Sequence, residues 1–250
     1  MLSAKKMVVL CVIGMASVAL LQACSKQSGN ENATSSTATA EQTNALAQVE
    51  KTTDGVVLTL AEGVVKKVRL QVISDKIIRV TALPGTDFGV IPESIQVIAK
   101  PATNVQFTSE QAGNQLVLKT SPITAQVSLI DGTVNFLDAK GNVLLKEENR
   151  GSFGPVTGDP IKPDADSFAL RQEFNRGSDE GYFGLGQHQN GQVNYSGENV
   201  ELTTYNLAKT IPFVVSSKNY GVLWDNNSIS RFGDPRETQP LNVALKLFDA

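Results

Sequence analysis

The sequence predicts an all-β protein built as one large antiparallel β-sandwich between residues 51 and 250. Short apolar segments with alternating polar residues follow one another after residue 50, and turn residues separate them about every ten residues. No apolar stripe of useful length has helical spacing in this region. About 200 residues suffice for one large core, so we expect a single folded domain.

The first expected strands show the alternation most clearly. The segment 56–60 is apolar, and residues 68–72 alternate apolar with polar side chains, which is the period of a half-buried strand. A turn near Asp75 separates this strand from the next, at 77–80. The apolar residues at 95–97 predict a further strand.

The middle of the chain continues the series with two turn signals. Asp131-Gly132 is typical of a hairpin, and residues 139–142 (AKGN) form a second turn. The expected strands around these turns are residues 116–118, 123–129, 134–136 and 143–145.

Residues 151–166 interrupt the series. They contain three prolines and three aspartates, a composition that predicts a loop and not a strand interior. The aspartates allow a calcium site, but the prolines break the ligand spacing of an EF-hand-type loop. We therefore favour a solvated surface loop, and the sequence predicts no metal and no cofactor.

The first 23 residues have the layout of a bacterial lipoprotein signal peptide. Lys5 and Lys6 precede the apolar segment 7–21, which is short for a membrane span. Residues 21–24 (LQAC) are similar to a lipobox, with Cys24 as the lipidated residue. The alternative is an ordinary signal peptide that happens to contain Cys24. We favour an exported lipoprotein, anchored most plausibly in the outer membrane and facing the periplasm or the exterior.

The segment that follows predicts a tether. Residues 24–50 are rich in Ser, Thr, Asn, Gln and Ala, and bury too little apolar surface to offset their ordering entropy. We expect a disordered linker between the lipid and the folded domain.

The charge of the protein argues against a nucleic-acid partner. Removal of the signal peptide, with Lys5 and Lys6, would make the net charge more negative than the −3 of the whole chain, whereas nucleic-acid binding usually needs a basic surface.

Several catalytic chemistries are excluded or unsupported. His188 is the only histidine, so a multi-histidine metal site is excluded, and no G-x-S-x-G motif surrounds a serine. Glu198 and Glu201 would point to opposite faces of a strand, so they are not an obvious acid pair. The glycines at 184–186 are interpreted as a tight turn at the end of a strand, and Trp224 as a core residue.

The last third of the sequence carries a family resemblance. Residues 181–191 (GYFGLGQHQNG), 199–206 (NVELTTYN) and 210–226 (TIPFVVSSKNYGVLWDN) resemble the N-terminal domain of glycoside hydrolase family 31, the retaining α-glucosidases and α-xylosidases. The likeness is greatest to the α-xylosidase branch that acts on xyloglucan fragments. It implies a galactose-mutarotase-like supersandwich that precedes a (β/α)8 barrel, which holds both catalytic carboxylates. No residue of this chain matches those carboxylates.

The resemblance also implies a substrate-side loop at residues 200–208. Family members that prefer xylose often show L-x-Q-x-N-T there; Leu202 and Asn206 keep this pattern, whereas Thr204 and Leu207 depart from it. Tyr205 has two open interpretations, a ring that packs against a sugar face or a strand aromatic at the edge of the core.

Two further candidates, Gln187 and His188, follow the glycine turn. They either donate hydrogen bonds to sugar hydroxyls or brace the domain against the barrel, and we favour the brace.

These observations lead to two functional hypotheses. The first is a carbohydrate-binding domain that shapes the substrate pocket of an α-xylosidase or α-glucosidase, truncated before the barrel, with a xyloglucan-type α-linked oligosaccharide as ligand. The second is an autonomous lipid-anchored sugar-binding module without catalysis. The sequence beyond codon 250 discriminates between them, because an open frame for a barrel favours the first.

We predict that the mature protein begins at lipidated Cys24. The physical reason is the apolar segment followed by the lipobox cysteine. Mass spectrometry of the N-terminal peptide checks this, and an unmodified Cys24 in a membrane-free pool contradicts it.

Overall fold

A computed structural model describes residues 8–14, 45–89, 94–101, 103–148, 151–155, 168–206, 208–226 and 228–233. Cys24, most of the expected leader and linker, Leu207 and residues 234–250 lie outside the described residues. Within the described ranges the structure has strands and no helix, so none of these residues forms a helix that could cross a membrane. The all-β prediction is confirmed.

Eighteen strands are described, and every named pairing between them is antiparallel. They are β1 Val8–Gly14, β2 Gln48–Thr52, β3 Gly55–Thr59, β4 Lys67–Ser74, β5 Ile77–Leu83, β6 Thr108–Ala112, β7 Gln115–Lys119, β8 Ile123–Ser128, β9 Val134–Asp138, β10 Val143–Glu147, β11 Ser152–Pro155, β12 Phe168–Arg171, β13 Phe174–Asn175, β14 Tyr182–Gln187, β15 Asn199–Leu202, β16 Lys209–Ser216, β17 Tyr220–Trp224 and β18 Ser230–Gly233.

The larger sheet has eight strands in the order β14-β16-β17-β1-β5-β4-β3-β2. Its two halves come from distant parts of the sequence: β2 to β5 form a meander of hairpins that ends at Leu83, whereas β14, β16 and β17 begin only at Tyr182. Strand β1, which belongs to the expected signal peptide, lies between the two halves and pairs with β17 and β5. Removal of the leader remains a prediction.

The smaller sheet has six strands in the order β13-β10-β9-β8-β7-β6, so β6 to β10 form a simple meander. Two-residue alternation puts one face of each strand inside: Ile123, Ala125 and Val127 on β8 are fully buried, and the residues between them are partly exposed. The turn at 129–131 and the turn at 139–141 join neighbouring strands where the sequence predicts them.

One continuous hydrophobic core joins the two larger sheets, which confirms the sandwich. The fully buried side chains of this core come from both sheets: Leu58, Leu70, Ile78, Leu116, Ile123, Phe136, Tyr220 and Trp224. Trp224 is completely inaccessible to solvent, as its interpretation as a core residue predicts.

The prediction of a strand at residues 95–97 is wrong. Residues 94–101 form no strand, and Ile95 is 80% exposed. The Ser94 hydroxyl accepts hydrogen bonds from the backbone amides of Gln96 (3.0 Å) and Val97 (2.9 Å). A serine side chain that bonds to nearby amides in this way competes with a strand ladder, which explains why apolar residues alone misled the prediction.

The loop expected at 151–166 begins later than predicted. Ser152–Pro155 form strand β11, which pairs with β12 in a separate two-stranded sheet. Pro155 is the last residue of this strand, where a missing N–H does not interrupt a ladder interior. Residues 156–167, with the aspartates that allow a calcium site, lie outside the described residues.

The glycines at 184–186 form a bulge inside β14, and not the turn at the end of a strand that the sequence predicts. The register to β16 shifts between Gly184 and Gly186, and Leu185 has a φ of 61°. A Cβ on Gly186 would lie 2.0 Å from the carbonyl oxygen of Lys209, so only glycine allows this close approach. The bulge keeps Leu185 fully buried within an otherwise exposed strand end.

A buried carboxylate fastens the start of β14 to the β16–β17 hairpin. Glu180 is 3% exposed and accepts hydrogen bonds from the hydroxyls of Ser216 and Tyr220, the latter at 2.6 Å. The ammonium group of Lys218 lies 2.9 Å from its second oxygen. Burial by itself raises the pKa of Glu180, but these hydrogen bonds and the Lys218 charge outweigh burial and lower that pKa below its usual value.

We predict that Glu180→Gln destabilises the protein by about 1.5–3 kcal/mol at pH 7, because charge-assisted hydrogen bonds are lost. Since folding lowers the pKa of Glu180, its stabilisation is present above the unfolded-state value of about 4.3 and is lost as the pH falls through the folded-state pKa. The difference in stability between the wild type and the variant should therefore shrink below about pH 4. Urea unfolding across this pH range measures it.

The control is Glu110→Gln, which removes an exposed carboxylate on β6. It should change stability by less than about 0.5 kcal/mol at any of these pH values. A Glu180→Gln variant as stable as this control would show that the carboxylate cluster contributes nothing to the fold.

Candidate functional site

Two cavities lie against β15, the strand that precedes the expected substrate loop. Strand β15 pairs with β18 to form a small sheet beside the larger one. The larger cavity has a volume of about 590 Å³ and contacts the end of β15 at Leu202. The smaller cavity, of about 410 Å³, contacts the same strand at Val200 and Glu201.

The larger cavity is lined by uncharged side chains. Aliphatic groups form much of its wall, and hydroxyl and amide groups provide donors and acceptors. The lining residues are Ile95, Gln96, Leu202, Thr203, Thr204, Thr210, Ile211, Pro212, Leu223, Asn226, Ser228, Ile229 and Ser230. No ionisable side chain occurs among them, so the cavity suits a neutral ligand with many hydroxyl groups better than an ionic one.

Local hydrogen bonds fix the threonine side of this cavity. The backbone amide of Thr210 donates to the hydroxyl of Thr204 over 3.2 Å, which holds the substrate loop against the start of β16. Thr204 therefore presents a hydroxyl oxygen that accepts a hydrogen bond at this side of the cavity.

The opposite side of the larger cavity comes from distant sequence. The Gln96 side-chain amide donates to the carbonyl oxygen of Asn226 (3.1 Å), and the Ser94 hydroxyl donates to the Asp225 carboxylate (2.6 Å). The guanidinium of Arg79 lies 3.7 Å from the other oxygen of Asp225. Sequence reasoning missed Ile95 and Gln96 as lining residues, because it assigned them to a strand and had no signal for this long-range contact.

The smaller cavity contains two of the predicted site residues, His188 and Tyr205. The His188 Nε2 lies 2.9 Å from the carbonyl oxygen of Leu185; since a carbonyl can only accept, Nε2 carries the proton. The His188 ring also meets Tyr195 edge-on, with ring centroids 6.1 Å apart. The β14 bulge thus holds the His188 ring in place, and the expected brace against a barrel stays a prediction.

Tyr205 lies on the surface and not at the edge of the core. Its side chain is 58% exposed, while its backbone exchanges hydrogen bonds of 3.1 and 3.2 Å with Ala208. This short closed turn presents the ring beside the smaller cavity. Of the two interpretations that the sequence left open, the exposed position argues against the core-edge aromatic, and the ring that packs against a sugar face stays a prediction.

The remaining predicted residues are placed differently from one another. Leu202 is 6% exposed and belongs to the core, although it also contacts the larger cavity. Asn206 is exposed in the Tyr205–Ala208 turn and lines neither cavity. Gln187 is the exposed last residue of β14, opposite Lys209. The structure therefore brings His188 and Tyr205 together, but separates them from Leu202.

The site offers binding groups and no evident metal centre. Within the described ranges, no group of three or more His, Cys, Asp or Glu side chains is placed to hold a metal ion. The carboxylate of Glu201, beside the smaller cavity, accepts a hydrogen bond from Thr203 over 3.1 Å. What the arrangement provides is hydroxyls, amides and an exposed aromatic ring, which are the groups that contact neutral sugars.

The two-sheet antiparallel sandwich is the fold of a galactose-mutarotase-like domain, and the family comparison assigns this class. Residues 67–232 match the family described as the glycosyl hydrolase 31 N-terminal galactose mutarotase-like domain. The chain belongs to this family.

Two relatives with matching sequences carry glycosidase names. The α-xylosidase of Saccharolobus solfataricus is 27% identical over 172 residues, which cover 65% of this chain and 22% of that protein. An uncharacterised family 31 glucosidase of Pseudescherichia vulneris is 29% identical over 132 residues, covering 46% of this chain and 25% of that protein. The chain thus spans about a quarter or less of the length of these relatives.

Solved structures show the same fold. A family 31 α-xylosidase from Xanthomonas citri is 42% identical, with a TM-score of 0.66 over 77% of this chain and 20% of that one. An α-xylosidase from a soil metagenome, complexed with xylose, is 23% identical with a TM-score of 0.62, over 74% of this chain and 29% of that one. The second likeness concerns the fold alone.

We predict that Tyr205→Ala changes the free energy of unfolding by less than about 0.5 kcal/mol, since the exposed ring gives up little buried area. Tyr220→Ala is the matched comparison, because that ring is 2% exposed; it should cost about 3 kcal/mol or more. Thermal and urea unfolding measure both variants. Equal destabilisation by the two substitutions would place Tyr205 in the core.

Proposed function

We propose that this chain is the substrate-side N-terminal domain of an α-xylosidase that acts on xyloglucan-type oligosaccharides. The observation that carries the proposal is the 42% identity to the Xanthomonas citri α-xylosidase over 77% of the chain. That likeness exceeds what the fold alone requires, since other family 31 structures match the same sandwich at 21–23% identity.

In this proposal the chain contributes part of the surface that binds the sugar, and a separate (β/α)8 barrel catalyses the hydrolysis. The match covers only 20% of the Xanthomonas citri enzyme. Retaining glycosidases need two carboxyl groups about 5 Å apart across the sugar. We assign those carboxyls to a (β/α)8 barrel beyond residue 250 and expect the substrate loop at 200–208 to form part of the wall of its sugar pocket.

The chemistry of the cavities supports a neutral sugar as ligand. Hydroxyl or amide groups line both cavities beside β15, and Tyr205 presents an exposed ring on which sugar CH groups can stack. Thr204 in place of the usual glutamine leaves the choice between xylose and glucose open to experiment. An α-glucosidase is therefore the neighbouring possibility within the same family.

We place this domain on an exported lipoprotein, tethered through Cys24 and the polar linker at 24–50. The lipobox and the composition of the linker support this location. A surface-tethered enzyme of this kind would meet oligosaccharides outside the cytoplasm.

The second candidate function is an autonomous sugar-binding module. The observation in its favour is the exposed Tyr205 ring beside the smaller cavity, a group that can stack on a sugar without a barrel. A module should bind xyloglucan oligosaccharides as the isolated chain, whereas a pocket-wall domain needs its barrel to bind them tightly.

We predict that the isolated chain hydrolyses no aryl α-xyloside or α-glucoside, because a sandwich edge cannot supply the carboxylate pair that lowers the barrier. A chromogenic assay on the purified chain measures this, and calorimetry with a xyloglucan oligosaccharide tests the module alternative in parallel. Turnover that survives rigorous purification contradicts the assignment of catalysis to the barrel.

We further predict that Tyr205→Ala in the native protein changes the ratio of kcat/KM for xylosides to that for glucosides by roughly tenfold, which corresponds to a typical pocket contact. The control is Val193→Ala, an exposed apolar residue that lines neither cavity; it should leave the ratio unchanged. An unchanged ratio in both variants would end the pocket-wall role of Tyr205.

A further inference from the structure

The centre of the larger sheet is occupied by a segment that export would remove. Strand β1 runs antiparallel to both of its neighbours, from Leu10 opposite Trp224 to Gly14 opposite Tyr220 on β17, and from Val8 opposite Ala82 to Ile13 opposite Ile77 on β5. We call the space between β5 and β17 the strand slot. Its present occupant lies entirely within residues 1–23, the expected lipoprotein leader.

The flanks of the strand slot belong to the core of the sandwich. On β5, Val80 is 2% exposed, and on β17, Trp224 is fully buried. The register puts Leu10 level with both of these residues, and Val12 level with the buried Val222. The core-facing positions of a strand in the slot therefore recur at every second residue. Its backbone also pairs with β5 on one side and with β17 on the other, so that neither strand is left as an edge of the sheet.

Processing at Cys24 leaves two unpaired strand edges in the middle of the sheet. A buried backbone N–H or C=O that loses its hydrogen-bond partner is unfavourable, and an empty slot would leave a whole row of them on each side. The processed protein must therefore either fill the slot with another strand or rearrange β5 and β17. Among the described strands of the larger sheet, one group consists of β2–β5 and the other of β14, β16 and β17. The two groups are joined through this slot.

We propose that the strand slot is an acceptor for an extended segment from the part of the protein that follows residue 250, which runs antiparallel to β5 and β17. The chain spans only 20–25% of the relatives' length, so ample sequence for such a donor lies outside it. The chemistry of the donor is set by the slot: apolar residues at alternate positions and no proline in the interior. The inference rests on the lipoprotein part of the proposed function.

Hydrogen exchange with mass spectrometry tests the proposal on two preparations, the native protein purified from membranes and the processed chain 24–250. In the native protein the N-terminal peptide should begin at Cys24, and the amides of β5 and β17 should be protected. In chain 24–250 the same strands should exchange about tenfold faster or more, whereas β8 and β9 in the smaller sheet should keep their protection.

A peptide probe examines the acceptor directly. The peptide contains residues 8–14 with two lysines at each end for solubility, and it should restore protection of β5 and β17 in chain 24–250. The control peptide carries Val12→Pro, which removes a ladder donor and should restore nothing. Chain 24–250 could fail to fold alone. In that case the acceptor role of the slot is supported if the first peptide restores a folded chain and the control peptide does not.

Several results would overturn the proposal. One is a native protein that retains the leader, which makes β1 the permanent strand. Another is native-level protection of β5 and β17 in chain 24–250, which means that residues 234–250 or direct pairing close the sheet. Exposed β5 and β17 in the native protein, or no response to the first peptide, also contradict it. Loss of the xylosidase assignment would leave these exchange results unaffected, so the two failures are distinguishable.

Discussion

The continuity of the larger sheet between β5 and β17, which a strand in the slot between them provides, is the constraint on which the rest of the structure depends. Strands β2–β5 face the smaller sheet and form much of the core, whereas β14, β16 and β17 support the cavities. Backbone hydrogen bonds through the central strand fix the position of one half relative to the other. Trp224 on β17 packs in the shared core, so the strand next to the slot also carries a central core residue.

The candidate site is built on the rigid strands that this sheet provides. The bulge at Leu185 holds His188, and the Glu180 cluster fastens β14 to the hairpin between β16 and β17. Short hydrogen-bonded turns then present Tyr205 and Thr204 beside the two cavities. The hydroxyls, amides and one aromatic ring that this surface holds in place support the proposed recognition of a neutral sugar.

The division of labour within the family gives these features their meaning. A β-sandwich edge can position hydroxyl donors and an aromatic ring, but two carboxyl groups on opposite sides of an anomeric carbon need a deep, enclosed pocket. Under the proposed function, the sandwich would contribute to substrate choice, where differences of about 1–3 kcal/mol matter, while the larger lowering of the reaction barrier would belong to the barrel. The lipid tether would determine where both act.

The sequence by itself determined the all-β class, most strand positions and the family, because two-residue alternation and motifs such as GLGQHQ are local signals. It could not place Ile95 and Gln96 beside the substrate loop, since Ser94 turns that segment and Asp225 anchors it from far along the chain. It left the Tyr205 ring open between core and surface, and only the packing around the Tyr205–Ala208 turn decided its exposure. The central position of β1 was likewise hidden, because which strands pair across a sheet depends on long-range backbone hydrogen bonds and not on the composition of the strand itself.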